Sequence, residues 1–167
     1  MKKILLISLI ATSTFSQTSN IFEPIDVFDL EYVSNTQISP NGDKVLYQRN
    51  FNDIMTDESF SNIWLINYDG TNNRPITTGN FKDNSPKWSN QGDKFVFKSN
   101  RGNKSQIFLF DLKNNSIQKL TNFQYSIETV KWSPDDNYIL FSSFIDSKRD
   151  KLIDMPEKPK GAKWNDP

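Results

Sequence analysis

Carboxylates at Asp43, at Asp93 and at the adjacent pair Asp135 and Asp136 stand in turns that recur along the chain, and such a set invites comparison with a divalent-cation site. Calcium takes about six to eight converging oxygens. No loop of this sequence assembles that many, and carboxylates in tight turns more commonly satisfy local backbone N–H groups. Trp64, Trp88 and Trp132 offer faces on which a sugar could stack, but Trp88 and Trp132 hold the same position of a repeat, which points to packing. Asp57 and Glu58 form a short acidic feature on a lengthened loop, where they could meet a substrate amine or stand in solvent. The 167 residues contain neither histidine nor cysteine. A Ser-His-Asp triad needs an imidazole to take and return the proton, so none can be built from these residues. Disulfides and thiolate metal sites are likewise excluded. The residues therefore give no catalytic, cofactor-binding or metal-ligating assignment, and they leave the substrate-binding residues undefined.

The elements that hold these side chains are expected to be strands. Aromatics make up 13% of the chain, including 13 Phe and 4 Trp, which favours a packed β-rich core over a polar linker. Lysine and arginine number 20 and aspartate and glutamate 20, interspersed, which leaves no basic stripe for nucleic acid. Met1 to Ser16 reads as a secretory signal: Lys2 and Lys3, the apolar run Ile4 to Ala11, then small residues around Thr14 and Ser16, with cleavage before Gln17. A buried N-terminal strand is the alternative reading. The apolar run is shorter than the roughly 18 to 20 residues that span a bilayer, so no permanent anchor is expected and the location is periplasmic or secreted.

A fixed period organises the rest. Ile63-Trp64-Leu65-Ile66 recurs 44 residues on as Ile107-Phe108-Leu109-Phe110, Lys87-Trp88-Ser89 as Lys131-Trp132-Ser133, and Phe95-Val96-Phe97 as Ile139-Leu140-Phe141. Pro75-Ile76-Thr77 and Lys119-Leu120-Thr121 keep the same offset. An earlier copy begins at Ile38-Ser39-Pro40-Asn41-Gly42-Asp43-Lys44, displaced by 50 residues from Trp88 to Lys94, and the six extra residues are expected in a solvent loop around Asp53 to Phe60. Periods of about 40 to 45 residues mark propeller blades.

Each unit reads as four strands. The first ends near Ile38, Trp88 or Trp132; the second is Val45 to Gln48, Phe95 to Lys98 or Ile139 to Ser142; the third is Ile63 to Asn67 or Ile107 to Asp111; the fourth closes on Ile76-Thr77 or Leu120-Thr121. Gly42 and Gly92 are placed for positive φ in the first turn, and Gly70 faces Asn114 in a later one. Runs such as Ile63 to Ile66 are apolar at successive positions, as strands covered on both faces are. A two-sheet sandwich would also bury such strands, but the period favours blades. The fold class is all-β, an incomplete propeller of four-stranded antiparallel blades with about two and a half present. Residues 1–16 are the signal, 17–32 a lead-in, 33–144 the blades, and 145–167 a charged insertion loop containing Pro156, Pro159 and Pro167. Propellers close with about four to eight blades, so this sequence reads as the front of a longer protein.

Pro24 to Leu30 followed by Ile38-Ser39-Pro40-Asn41-Gly42, together with Pro159-Lys160-Gly161-Ala162-Lys163-Trp164, resembles the bacterial prolyl oligopeptidase family, in particular its acylaminoacyl-peptidase and dipeptidyl-peptidase-like members. TolB-like periplasmic propellers share the Ser-Pro-Asp-Gly type of turn. The resemblance implies an exported serine peptidase whose propeller restricts the access of peptide substrates to an α/β-hydrolase domain that is missing here. No Gly-x-Ser-x-Gly elbow is present, so none of the family's catalytic residues transfers to this sequence. Without that domain the chain is expected to be inactive, and no cofactor is implied. A propeller that binds protein partners is the alternative.

Overall fold

The computed structural model describes residues 22–145, so the signal expected at Met1 to Ser16 and all but the first residue of the insertion expected at 145–167 lie outside the described residues. Three antiparallel sheets follow one another along the chain. The first contains β1 (Tyr32–Ile38), β2 (Lys44–Asp53), β3 (Glu58–Asn67) and β4 (Arg74–Pro75) in sequential order. The second repeats that order with β5 (Asn84–Trp88), β6 (Lys94–Gly102), β7 (Lys104–Asp111) and β8 (Ser116–Lys119). A third pairs β9 (Ile127–Trp132) with β10 (Ile139–Ser143). Among the described residues this is a run of blades, two of four strands and one of two.

The first strands touch between neighbouring blades, β1 with β5 and β5 with β9, and so line the side on which the blades converge. Burial explains the consecutive apolar residues of the middle blade. Phe95, Phe97, Phe108 and Phe110 share one face and pack on Leu46, Ile63 and Leu65 of the first blade. Val96 and Ile107, on the opposite face, pack on Ile127 and Val130 of the third. Only a sheet with neighbours on both sides can bury successive residues of one strand in this way.

One detail differs in part from the sequence expectation. Around Asp53 to Phe60 only Ile54 to Asp57 form an exposed turn, and the first blade's extra length goes into a ladder that runs without a break from Lys44 opposite Asn67 to Asp53 opposite Glu58. Phe51 and Phe60, paired across it with ring centroids 6.0 Å apart, supply the cross-strand contact that keeps the extension zipped. The fourth strands run to Pro75 and Lys119, and they close on Ile76-Thr77 and Leu120-Thr121 as expected: the Ile76 N–H donates to the Ile63 carbonyl and the Leu120 N–H to the Ile107 carbonyl, both at 2.8 Å. Ile63 N–H donates to Thr77 Oγ1 at 2.9 Å and Ile107 N–H to Thr121 Oγ1 at 3.0 Å, so a threonine hydroxyl replaces the next ladder acceptor.

Further small differences concern the turns. Gly42 and Gly92 take φ of 76° and 71°, as their turns require, and Asp136 fills the same position of the third blade at 57°. In the later turn the left-handed residue opposite Gly70 is Asn115 rather than Asn114.

Candidate functional site

Of the residues singled out by sequence, Trp88, Trp132 and Asp136 reach across the seams between blades, and the others do not. Trp88 and Trp132 stand at the ends of β5 and β9, and each indole N–H reaches back to the preceding blade. Trp88 Nε1 donates to the carbonyl of Gln37 at 3.1 Å, and Trp132 Nε1 to that of Lys87 at 3.0 Å. Both side chains are partly buried against the neighbouring core. A ring committed to a seam on one edge and to apolar neighbours on its faces is unsuited to stacking a sugar. Trp64 is different: it lies in β3 on the free face of the first blade, over Tyr47 at 6.2 Å and with the Arg49 guanidinium 5.1 Å from its ring.

The turn carboxylates do not converge. Asp43 accepts from Ser39 Oγ at 3.0 Å and pairs with Lys44, and Asp93 accepts from Ser89 Oγ at 3.0 Å. Ser39 Oγ in turn accepts the Lys44 N–H at 3.0 Å. These two aspartates therefore orient a serine that holds the turn, instead of taking local N–H groups directly as their turn position had suggested. Asp135 does accept local donors, from Ser133 Oγ and from the Asn137 backbone, and these hold its carboxyl below the usual range. Among the described residues no three carboxylates come together in a way that could hold a metal ion. Asp57 forms the extended hairpin's turn at φ 53°, and Glu58 opens β3; both are exposed.

Asp136 reaches across a seam, which its turn position gave no reason to expect. Its carboxylate accepts from the backbone N–H of Asn90 at 2.8 Å and of Gln91 at 3.0 Å, and from the Asn90 side chain at 2.7 Å. Asn90 Nδ2 also donates to the Ser133 carbonyl. The preceding seam is built otherwise. There the same position is Gly92, where a Cβ would lie 3.1 Å from Pro40 Cδ, and Pro40 stands where Asn90 stands in the next blade. Proline has no N–H to offer a carboxylate, so the glycine lets the two turns pack closely instead.

Partial burial alone would raise the carboxyl of Asp136, but the N–H donors of Asn90 and Gln91 outweigh it and hold the group below its ordinary 3.8. A depressed acid stabilises the fold above its unfolded value and loses that contribution as pH falls through the folded value. Asp136→Asn is therefore expected to cost about 1 kcal/mol or less near neutrality, after screening. The gap from the unsubstituted protein should narrow as pH falls below 3.8 and through the lower folded value. Urea unfolding across pH checks this, and a gap independent of pH would refute it.

An ion pair with a buried carboxylate sits beside the first seam. Asp83, fully buried, receives Arg101 Nη2 at 2.7 Å, and the same guanidinium lies 4.9 Å from the Phe81 ring and 5.9 Å from that of Phe108. Buried amides tie down the crossovers between blades: Gln106 binds the Phe123 N–H and carbonyl, and Asn62 donates to the Gly79 carbonyl at 3.0 Å. Among the described residues no helix is long and apolar enough to cross a membrane.

Comparison with known proteins agrees with this geometry. Dipeptidyl-peptidase 5 of Porphyromonas gingivalis is 27% identical over 142 residues, 84% of this chain and 21% of that protein. The uncharacterized peptidase YuxL of Bacillus subtilis is 28% identical over 116 residues, 69% of this chain and 18% of that protein. The chain thus spans about a fifth of the length of these relatives. The acylaminoacyl peptidase of Pyrococcus horikoshii superposes with a TM-score of 0.63 at 22% identity, over 80% of this chain and 20% of that one, which is a likeness of fold. Residues 32–156 match the family described as the TolB beta propeller domain, and with three quarters of its length inside that match the chain belongs to this family.

Proposed function

We propose that this sequence is the N-terminal propeller portion of an exported serine peptidase, in which the blades restrict the access of peptides to an α/β-hydrolase domain elsewhere in the same polypeptide. The observation that carries the reading is the alignment of 84% of the chain with only 21% of a dipeptidyl-peptidase, which leaves most of such a protein to supply the chemistry. The blades contribute no histidine, so their part is steric and structural: a rigid wall of sheets stapled by Trp88, Trp132 and Asp136. Export rests on the Lys2-Lys3 and Ile4 to Ala11 pattern, and implies a periplasmic or secreted protein.

The family match itself favours a second reading, a propeller that presents its faces to protein partners without any hydrolase domain. One experiment separates the two. The protein expressed from the complete reading frame is treated with a fluorophosphonate probe, which modifies activated serines. The peptidase reading expects a labelled band that heat denaturation abolishes. A folded, unlabelled protein would overturn it in favour of the binding module.

A further inference from the structure

The face that the first blade turns to the second is apolar at one end and polar at the other. Along β2 it runs from Leu46 to Gln48, Asn50 and Asn52, and the residues opposite them on β3 are Leu65, Ile63, Ser61 and Ser59. A cleft of about 420 Å³ opens at the polar end, bounded across the seam by Lys82, Asn84 and Ser85. The second seam is bridged at the corresponding place. Lys98, the repeat position of Gln48, donates from Nζ to the Glu128 carbonyl at 2.6 Å, and Glu128 is the repeat position of Asn84. Gln48 makes no such crossing. It is held in its own sheet, where it accepts from Asn35 Nδ2 at 2.7 Å and donates to Asn50 Oδ1 at 2.6 Å.

We propose that this cleft binds a neutral saccharide. Its floor is set before any ligand arrives: Gln48 and Asn50 are 8% and 7% exposed, and Asn52 accepts from Ser59 Oγ and donates to the Val27 carbonyl, both at 2.8 Å. Bonding capacity remains at the rim. Among the described residues Asn35 Oδ1 accepts no hydrogen bond and Lys82 Nζ donates none, so the rim offers an acceptor and a donor to a ligand whose hydroxyls act as both. Tyr32 pairs with Asn50 across the ladder and so shares its face, and with 64% of its surface exposed it offers a ring against which the C–H face of a sugar can pack. No carboxylate lines the cleft, which leaves nothing there to hold an amine. An extended peptide fits less well. Asn35 and Ser85 are left-handed, at φ of 50° and 54°, in bulges that break the pairing of β1 with β2 and of β5 with β6, and a strand does not zip along an edge so interrupted. The inference does not depend on the peptidase reading, since it concerns a seam that either kind of propeller contains.

The protein expressed from the complete reading frame is titrated with cellobiose, maltose and N,N′-diacetylchitobiose, and binding is followed by saturation-transfer NMR. Saturable binding of at least one of them is expected. Gln48→Lys installs the residue that bridges the second seam, and should weaken that binding roughly tenfold or more. Asn35→Gly keeps the left-handed backbone while removing the rim acceptor, and should weaken it likewise should Gln48→Lys fail to fold. Absence of binding by all three sugars would overturn the proposal. Binding that both variants leave unchanged would also overturn it, because the sugar would then sit elsewhere on the protein. Displacement of the bound sugar by tetraglycine would assign the cleft to a peptide main chain, with the same consequence.

Discussion

Arg101→Ala is expected to lower the stability of the blades by about 3–5 kcal/mol, since removing one partner of a buried ion pair leaves an uncompensated charge in the interior. Asp83 has no exposed surface, and Arg101 is the only side chain that donates to its carboxylate among the described residues. The backbone around Asp83 is fixed as well: its N–H donates to the Ser61 carbonyl at 2.9 Å, and its own carbonyl accepts from Ser61 Oγ at 2.8 Å. The carboxylate therefore cannot swing out to water without breaking the link between the first blade and the crossover into the second. Asp83→Asn combined with Arg101→Met removes both charges and keeps the stem that packs on Phe81 and Phe108, so it should cost markedly less than Arg101→Ala alone. Urea unfolding followed by tryptophan fluorescence measures both variants. Equal losses would show that the guanidinium stabilises by packing on the rings rather than by neutralising Asp83.

The sequence carried the blades more clearly than the joints between them. Period and strand pattern were legible because each blade buries the same positions, so Ile63 to Ile66 and Ile107 to Phe110 had to look alike. The packing role of Trp88 and Trp132 is legible in their recurrence alone, though their N–H bonds to Gln37 and Lys87 link separate blades and leave no local trace. The reach of Asp136 across a seam is not legible for a related reason. The residue occupies a turn in which Asp135 does satisfy local donors, and only the adjoining turn at Asn90 and Gln91 determines that Asp136 reaches outward. The contrast with Gly92 against Pro40 was present in the sequence as a difference between two aligned turns, and it becomes readable once the turns are known to touch. The hairpin extension was expected as loop because insertions are usually accommodated in solvent, whereas Phe51 opposite Phe60 makes a longer ladder the better outcome.

Phe95→Ala should match the loss at Arg101, about 3–5 kcal/mol for a fully buried phenylalanine whose cavity the surroundings fill only in part. Its ring touches Phe110 at 5.1 Å, Trp88 at 5.6 Å and Phe97 at 6.2 Å, and the same cluster includes Leu46, Ile63 and Leu65 of the first blade. One side chain thus serves both the interior of its own sheet and the joint with the next. In stacked repeats stability is approximately a sum of unit terms and nearest-neighbour interface terms, and a residue shared by both kinds should loosen two blades at once. Hydrogen exchange of Phe95→Ala is therefore expected to quicken in β2 and β3 of the first blade as well as in β6 and β7. Val96→Ala removes a smaller side chain from the opposite face, where the neighbours are Ile127 and Val130, and should quicken exchange in β9 while leaving β2 and β3 protected. If Phe95→Ala left the first blade untouched, the aromatic face would be holding its own sheet together rather than joining two, and the reading of these sheets as mutually dependent blades would fail at its central contact.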